Sequence, residues 1–268
     1  MKKFIYTVIE VKKMKLSICM DMHYPELAFE EKIEKAKELK VDAIEFWKWT
    51  NKDIDAIENS GANISVFNLC SVDANLTNDL LKGILNTERK EELLEAIKET
   101  APVYKRLKAK GLIALIGENK EDVSYEKQLE NVYESLLYIK PYLEEKNINL
   151  FVEPLNDIDR KNYFLPYCTP LFEIIKKVNS KNIKVLYDIY HQNMMNDFSL
   201  EQVLENIDLI GHFHIADCPG RHEPGTGDVD YVTILKAIKK SGFDGYAGFE
   251  FRQENKDFDL NKFIGGIE

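Results

Sequence analysis

The sequence lacks a long apolar run and an excess of positive charge. It has 36 Lys and Arg residues against 46 Asp and Glu residues, which gives a net charge of −10 over 268 residues. A membrane span needs about 20 consecutive apolar residues, and no segment approaches that length. Nucleic-acid-binding proteins usually present a basic face, which an acidic chain disfavours. We therefore expect a small-molecule substrate as the partner, and neither a membrane nor a nucleic acid.

Cysteine is also scarce. Cys19, Cys70, Cys168 and Cys218 are scattered along the chain and form no Cys-x-x-Cys motif. This pattern is typical of reduced thiols in a cytoplasmic protein. The apolar stretch Phe4–Ile9 is too short for the core of a signal peptide, so we expect a cytoplasmic location. No Gly-rich phosphate-binding motif follows the first strand-like segment, which counts against a nucleotide-binding fold.

The sequence instead alternates strand-like and helix-like segments from end to end. Each strand-like segment is a near-continuous apolar run, as expected for strands that are buried on both faces. Eight such units in 268 residues give roughly 33 residues per unit, which favours a closed parallel barrel over an open sheet. The predicted strands are Lys15–Met20, Ala43–Phe46, Asn63–Leu69, Gly111–Ile116, Ile148–Glu153, Ile183–Asp188, Ile207–Ile215 and Gly245–Phe251.

The predicted fold class is therefore α/β, with a single (β/α)8 TIM barrel domain over residues 14–268. Residues 1–13 precede the first predicted strand and form an N-terminal extension in this interpretation. The longest predicted helices are Thr87–Lys108 and Ser124–Glu145, and Pro141 predicts a kink or a restart in the second of them.

Polar side chains stand at the ends of the last four predicted strands. Strand five ends in Glu153, strand six in Asp188, strand seven around His212 and His214, and strand eight in Glu250. In a barrel these ends share one rim, where catalytic groups collect. Each residue alone is also suited to capping a neighbouring helix. Three carboxylates and an imidazole that converge would repel one another without a cation between them, so the coincidence predicts a divalent metal site.

Three further residues are candidates for substrate binding. The loop over residues 217–230 is rich in Pro and Gly, and Arg221 in it has the donor geometry to clamp a carboxylate or a sugar hydroxyl. A surface pair with Glu223 is the alternative for this arginine. His191 is placed to contact a substrate oxygen or to support a metal ligand. Trp47 would form an aromatic wall against the substrate, or pack between barrel and helix.

Five segments carry a resemblance to a known family. They are Val152–Asn156 (VEPLN), Asp188–Gln192 (DIYHQ), His214–Asp217 (HIAD), Pro219–Gly227 (PGRHEPGTG) and Gly248–Phe251 (GFEF). Together they resemble the hydroxypyruvate isomerase branch of the xylose isomerase-like TIM barrel superfamily. The resemblance covers the layout from Met14 to the C-terminus, and PGRHEPGTG is its most specific part.

The resemblance implies a metal-dependent isomerase acting on a small α-hydroxy carbonyl compound through a cis-enediolate. Hydroxypyruvate, converted to tartronate semialdehyde, is the first candidate substrate. The implied cofactor is one divalent ion, Mn²⁺ or Mg²⁺, with Co²⁺ or Zn²⁺ as alternatives. The implied residues are Glu153, Asp188, His214 and Glu250 as metal ligands, Glu153 and Glu250 as the acid/base pair, and His191 and Arg221 as substrate ligands.

One position departs from this pattern. Hydroxypyruvate isomerases often carry Gln where this chain has His214, whereas the sugar 3-epimerases of the superfamily carry His. A ketose 3-epimerase, or another isomerase of sugars or inositol derivatives, therefore stays open as the function.

A non-catalytic sugar-binding barrel is disfavoured by the intact glutamates. An apurinic endonuclease is disfavoured because predicted strands three and four end without histidine, which its three zinc ions need. The sequence leaves the formation of a homo-oligomer open.

Overall fold

The strands form a closed parallel barrel. The computed structural model describes residues 14–73, 76 and 83–267, so the predicted extension at residues 1–13 lies outside the described residues. Each strand pairs with the next along the chain, and β8 pairs with β1. The predicted single (β/α)8 barrel is therefore confirmed. The strands are β1 (Lys15–Cys19), β2 (Ala43–Phe46), β3 (Ile64–Asn68), β4 (Gly111–Leu115), β5 (Leu150–Glu153), β6 (Ile183–Asp188), β7 (Ile210–Ile215) and β8 (Tyr246–Phe249).

Helices alternate with these strands. Their buried residues recur every three or four positions, as in Leu93, Ala96, Ile97 and Ala101, so each longer helix turns an apolar side inward. The helices in the described residues are α1 (Phe29–Ala36), α2 (Ile54–Ser60), α3 (Lys90–Arg106), α4 (Tyr125–Lys146), α5 (Cys168–Val178), α6 (Ile189–Met194), α7 (Leu200–Glu205), α8 (Tyr231–Lys240) and α9 (Leu260–Ile267).

Two predicted element boundaries and the predicted effect of Pro141 need correction. A 3-10 turn at Ile207–Leu209 precedes β7, and another at Thr87–Arg89 precedes α3, where the sequence pattern predicted strand and helix. Helix α4 runs unbroken through Pro141, so the alternative of a helix restart is wrong, and the alternative of a kink stays a prediction. Pro141 lies on the exposed side of α4, next to the exposed Leu137, whose carbonyl loses its helical partner. Water can satisfy a carbonyl on that side, so the helix tolerates the proline.

The strand register brings the polar strand ends together. Asp188 of β6 lies beside His214 of β7, and His214 lies beside Gly248 of β8. Glu153 is the last residue of β5, and Glu250 follows β8 directly. All four strands run in the same direction, so their carboxyl ends form one rim of the barrel.

Two findings concern membrane-spanning helices and the cysteines. Among the described residues, no helix combines the length and apolar composition needed to cross a membrane. The four cysteines are free, and Cys19, Cys70 and Cys168 are buried. These free thiols agree with the predicted reduced state.

Candidate active site

The four predicted metal ligands converge at the carboxyl ends of β5 to β8. Each of Glu153, Asp188, His214 and Glu250 offers one ligand atom, and these atoms lie within 4.8 Å of one another. All four side chains are buried, with exposed fractions of 5%, 1%, 2% and 5%. The structure therefore brings together the set that the strand ends predicted. His212, the other histidine of β7, points to a different part of the barrel interior and is not in this group.

The ring of His214 has a different neighbour at each nitrogen. Its Nδ1 lies 3.0 Å from Glu250 Oε2, 3.3 Å from Glu153 Oε1 and 4.0 Å from Asp188 Oδ2. Its Nε2 lies 3.2 Å from Oε1 of Glu45, on the opposite side of the ring. Burial alone would lower the pKa of His214, but the Glu250 and Glu45 carboxylates outweigh burial and raise that pKa well above its ordinary value.

This donor set fits a divalent metal ion. Three carboxylates and one imidazole suit Mn²⁺ or Mg²⁺, because these hard ions prefer oxygen ligands. Burial raises the pKa of Asp188 above its ordinary value, so the site disfavours this charge when no cation is bound. Burial alone would also raise the pKa of Glu250, but Arg221 and His214 hold that pKa well below its usual range. Such crowding of acids is what a bound cation relieves.

Arg221 reaches into the site from the loop after β7. Its Nη2 lies 3.2 Å from Asp188 Oδ2 and also contacts Glu250 Oε2, while its guanidinium stacks 5.3 Å from the centre of the Tyr190 ring. The alternative pair with Glu223 is not formed. That carboxylate instead accepts the backbone N–H groups of Glu254 and Asn255 at 2.8 and 2.7 Å.

His191 lies in helix α6, which the sequence pattern did not predict. Helix α6 begins at Ile189 because the carboxylate of Asp188 accepts the N–H groups of Tyr190 and His191 and caps it. The Nδ1 of His191 accepts the backbone N–H of Asn156 at 3.2 Å. Burial, together with Arg221, lowers the pKa of His191 to about 3, so its ring is neutral at pH 7. A neutral ring that accepts at Nδ1 carries its proton on Nε2.

Trp47 lies at the rim after β2 and is partly exposed. Its indole Nε1 donates a hydrogen bond of 2.7 Å to Oε1 of Glu250. The sequence predicted that Trp47 forms an aromatic wall or packs between barrel and helix, but it did not predict this hydrogen bond to one of the two glutamates. Such a contact between residues 203 positions apart is not visible in a sequence pattern.

These side chains surround one cavity of about 310 Å³. All the predicted site residues line it except Asp188, which lies behind Arg221 and His214. Lys48, Asn68 and Arg160 also line it and had no predicted role. A larger cavity of about 370 Å³ lies at the opposite end of the barrel, among residues at the starts of the strands such as Lys15 and Lys184. Catalytic sites of this fold lie at the carboxyl ends, so the smaller cavity is the candidate.

Glu45 is the main polar residue of the barrel interior that the sequence analysis missed. It lies in β2 and is 2% exposed, between the rings of His212 and His214. The sequence did contain one indication of its importance: Glu45 is a carboxylate inside an otherwise apolar strand of a predicted barrel. Tyr163 was missed too, and its hydroxyl donates to the backbone carbonyl of Glu153 at 2.8 Å.

Comparisons with known proteins agree with the barrel fold. The family described as "Xylose isomerase-like TIM barrel" matches residues 33–262. The hydroxypyruvate isomerase of Escherichia coli K12 is 28% identical over 243 residues, which cover 90% of this chain and 94% of that protein. This similarity therefore extends over nearly the full length of both proteins.

Two solved structures are similar in fold. The first is an AP endonuclease, family 2, from Brucella melitensis, with a TM-score of 0.82, 22% identity and coverage of 93% of this chain and 96% of the other. The second is a 3-keto-D-glucoside 4-epimerase from Escherichia coli, with a TM-score of 0.76, 21% identity and coverage of 95% and 99%. At these identities the likeness supports the barrel architecture alone.

Proposed function

Because the chain belongs to the xylose isomerase-like TIM barrel family and is an isomerase, we propose that it isomerises a small α-hydroxy carbonyl compound with a divalent metal ion. We propose hydroxypyruvate as the substrate and tartronate semialdehyde as the product. One observation carries this proposal: two buried glutamates, Glu153 and Glu250, approach the same nitrogen of His214 at 3.3 and 3.0 Å. The full-length similarity to a hydroxypyruvate isomerase supports the substrate class.

The proposed metal ligands are Glu153, Asp188, His214 and Glu250, with Mn²⁺ or Mg²⁺ as the ion. A bound divalent ion would act as a Lewis acid toward the hydroxyl and carbonyl oxygens of the substrate. His214 would use Nδ1 as its ligand atom, because that nitrogen faces the three carboxylates.

The two glutamates are the proposed acid/base pair. One glutamate takes a proton from the CH₂OH carbon of hydroxypyruvate, which gives the cis-enediolate. A proton is then returned to the former carbonyl carbon, and the proton of the original hydroxyl moves to the former carbonyl oxygen, so the product is an isomer of the substrate. Glu250 is a candidate for the base because Trp47 holds one of its oxygens in place at 2.7 Å.

His191 and Arg221 are the proposed substrate ligands. The Nε2–H of His191 lies near Asp188 Oδ2 at 3.4 Å and at the wall of the cavity, where it can donate to a substrate oxygen. The Arg221 guanidinium is the cation closest to the carboxylates of the site and would pair with the substrate carboxylate.

Conversion of hydroxypyruvate by metal-depleted protein in D₂O, with and without added Mn²⁺, tests this proposal. We expect tartronate semialdehyde with deuterium at the former carbonyl carbon, only when Mn²⁺ is present. Glu153→Gln and Glu250→Gln should each abolish turnover, whereas Glu121→Gln, at an exposed position, should leave it unchanged. Wild-type rates in both active-site variants would contradict the two-glutamate mechanism.

A ketose 3-epimerase is the second candidate, and His214 favours it because sugar 3-epimerases carry His at this position. The two reactions share the first proton abstraction and differ in where the proton returns. A panel of ketoses in the same D₂O experiment separates them, since an epimerase would exchange the C3 proton of a ketose and leave hydroxypyruvate unchanged.

We further propose that the chain acts on small molecules rather than nucleic acids. The four free cysteines support the predicted cytoplasmic location.

A further inference from the structure

Glu45 is a buried carboxylate that the proposed reaction does not use. Its Oε2 accepts hydrogen bonds from the hydroxyls of Ser17 at 2.8 Å and Ser65 at 3.0 Å. The Nε2 of His212 lies 3.1 Å from the same oxygen, and the Nε2 of His214 lies 3.2 Å from Oε1. A buried carboxylate is costly unless hydrogen bonds or opposite charges surround it. The serines of β1 and β3 donate hydrogen bonds to Glu45, and the two histidines of β7 lie at ion-pair distance from it.

Strand β8, which is separated from β2 by β1, leaves room for this carboxylate. A Cβ atom at Gly248 of β8 would lie 2.4 Å from Oε1 and 2.5 Å from Oε2 of Glu45. The register of β7 and β8 places Gly248 directly beside His214. A larger residue at this position would therefore push the Glu45 carboxylate away from its present place.

We propose that Glu45 is a positioning residue that fixes the ring of His214 for metal binding. The carboxylate faces Nε2 of His214 at 3.2 Å, and its charge favours a proton on that nitrogen, which leaves the Nδ1 lone pair free toward Glu153, Asp188 and Glu250. Carboxylates behind metal-binding histidines act in this way, and their loss typically weakens metal binding about 10- to 100-fold. The inference rests on the metal site of the proposed function and extends it to a residue outside the ligand set.

The same atoms allow a second interpretation, in which Glu45, His212 and His214 hold a metal ion of their own. The geometry around Glu45 disfavours a shared ion. Each oxygen of Glu45 faces a different histidine, and Oε2 already accepts two serine hydroxyls. The number of ions bound per chain separates the two interpretations.

Titration of metal-depleted protein with Mn²⁺ in a calorimeter tests the proposal without any substrate. We expect one ion per chain in the wild type and a Kd that is about 10- to 100-fold higher in Glu45→Gln. Glu99→Gln is the matched control, because Glu99 also accepts a serine hydroxyl, from Ser71 at 2.7 Å, whereas Glu45 in addition lies 3.2 Å from the proposed metal ligand His214. An unchanged Kd in Glu45→Gln would overturn the proposal, as would two ions in the wild type with one lost in the variant.

Nitrogen-15 NMR of the histidine rings gives an independent readout. With Mg²⁺ bound, the wild type should show His214 as the Nε2–H tautomer, and an Nδ1–H tautomer would overturn the proposal even if Glu45→Gln fails to fold. Gly248→Ala provides a second variant, because the added Cβ displaces the Glu45 carboxylate and should also raise the Kd for Mn²⁺. Neither measurement needs turnover, so an inactive wild type would contradict the proposed reaction and leave this inference standing.

Discussion

His23 is a single residue whose burial makes stability depend on pH. It follows β1, is 6% exposed and packs edge-on against Phe251, with ring centres 4.6 Å apart. Burial lowers the pKa of His23 from 6.5 to about 4. Between these two values the unfolded chain binds a proton that the folded chain does not, so stability falls as pH decreases through this range.

We therefore expect the wild type to lose about 3 kcal/mol of unfolding free energy between pH 6.5 and 4, relative to His23→Gln. Urea unfolding in EDTA at a series of pH values measures this difference. His222→Gln, whose side chain is 30% exposed in the wild type, is the control and should follow the wild-type curve. Parallel curves for the wild type and His23→Gln would show that burial does not lower the pKa of His23 below its value in the unfolded chain.

At the level of strands and helices, the sequence predicts those structural features that depend on a local residue pattern. Glu153, Asp188, His214 and Glu250 were predictable because each follows an apolar run, and parallel strands in a barrel end at one rim. The capped helix α6 was not predicted, because it begins directly at the end of β6. The hydrogen bond from Trp47 to Glu250 forms only because the barrel closes, and no local sequence pattern specifies that closure.

The packing between strands gives a prediction at this scale. Phe151 of β5 lies between Gly111 of β4 and Gly211 of β7, and a Cβ at either glycine would lie 2.2 Å from its ring. Gly211→Ala should therefore lower the free energy of unfolding by about 1–3 kcal/mol through overpacking. Phe151→Leu in the same chain should recover part of this loss, and urea unfolding of the two single variants and the double variant measures the coupling.

Gly265→Ala is the control for this substitution. A Cβ at Gly265 in helix α9 meets nothing within 4 Å, so alanine there should stabilise the protein by up to about 1 kcal/mol. Strictly additive effects of Gly211→Ala and Phe151→Leu would contradict the proposed contact between the ring and the glycine.

The whole barrel is needed to build the site. The proposed metal ligands come from β5 to β8, but Glu45 of β2 contacts His214, and Trp47 after β2 donates to Glu250. The acidic side chains are therefore held by contacts that cross the barrel between its two halves. An ion that binds this site binds only the folded chain, because the ligands are up to 97 positions apart, from Glu153 to Glu250.

Metal binding should therefore stabilise the entire domain against heat. At a Mn²⁺ concentration 100 times its Kd the gain is about 2.7 kcal/mol. For a domain of this size that raises the Tm by about 5 to 10 °C. Thermal unfolding of EDTA-treated protein at increasing Mn²⁺ concentration measures the shift. Asp188→Asn should lose most of it because a ligand charge is removed, whereas Asp122→Asn, at an exposed position, should keep it. Equal shifts in both variants would place the stabilising ion elsewhere in the protein.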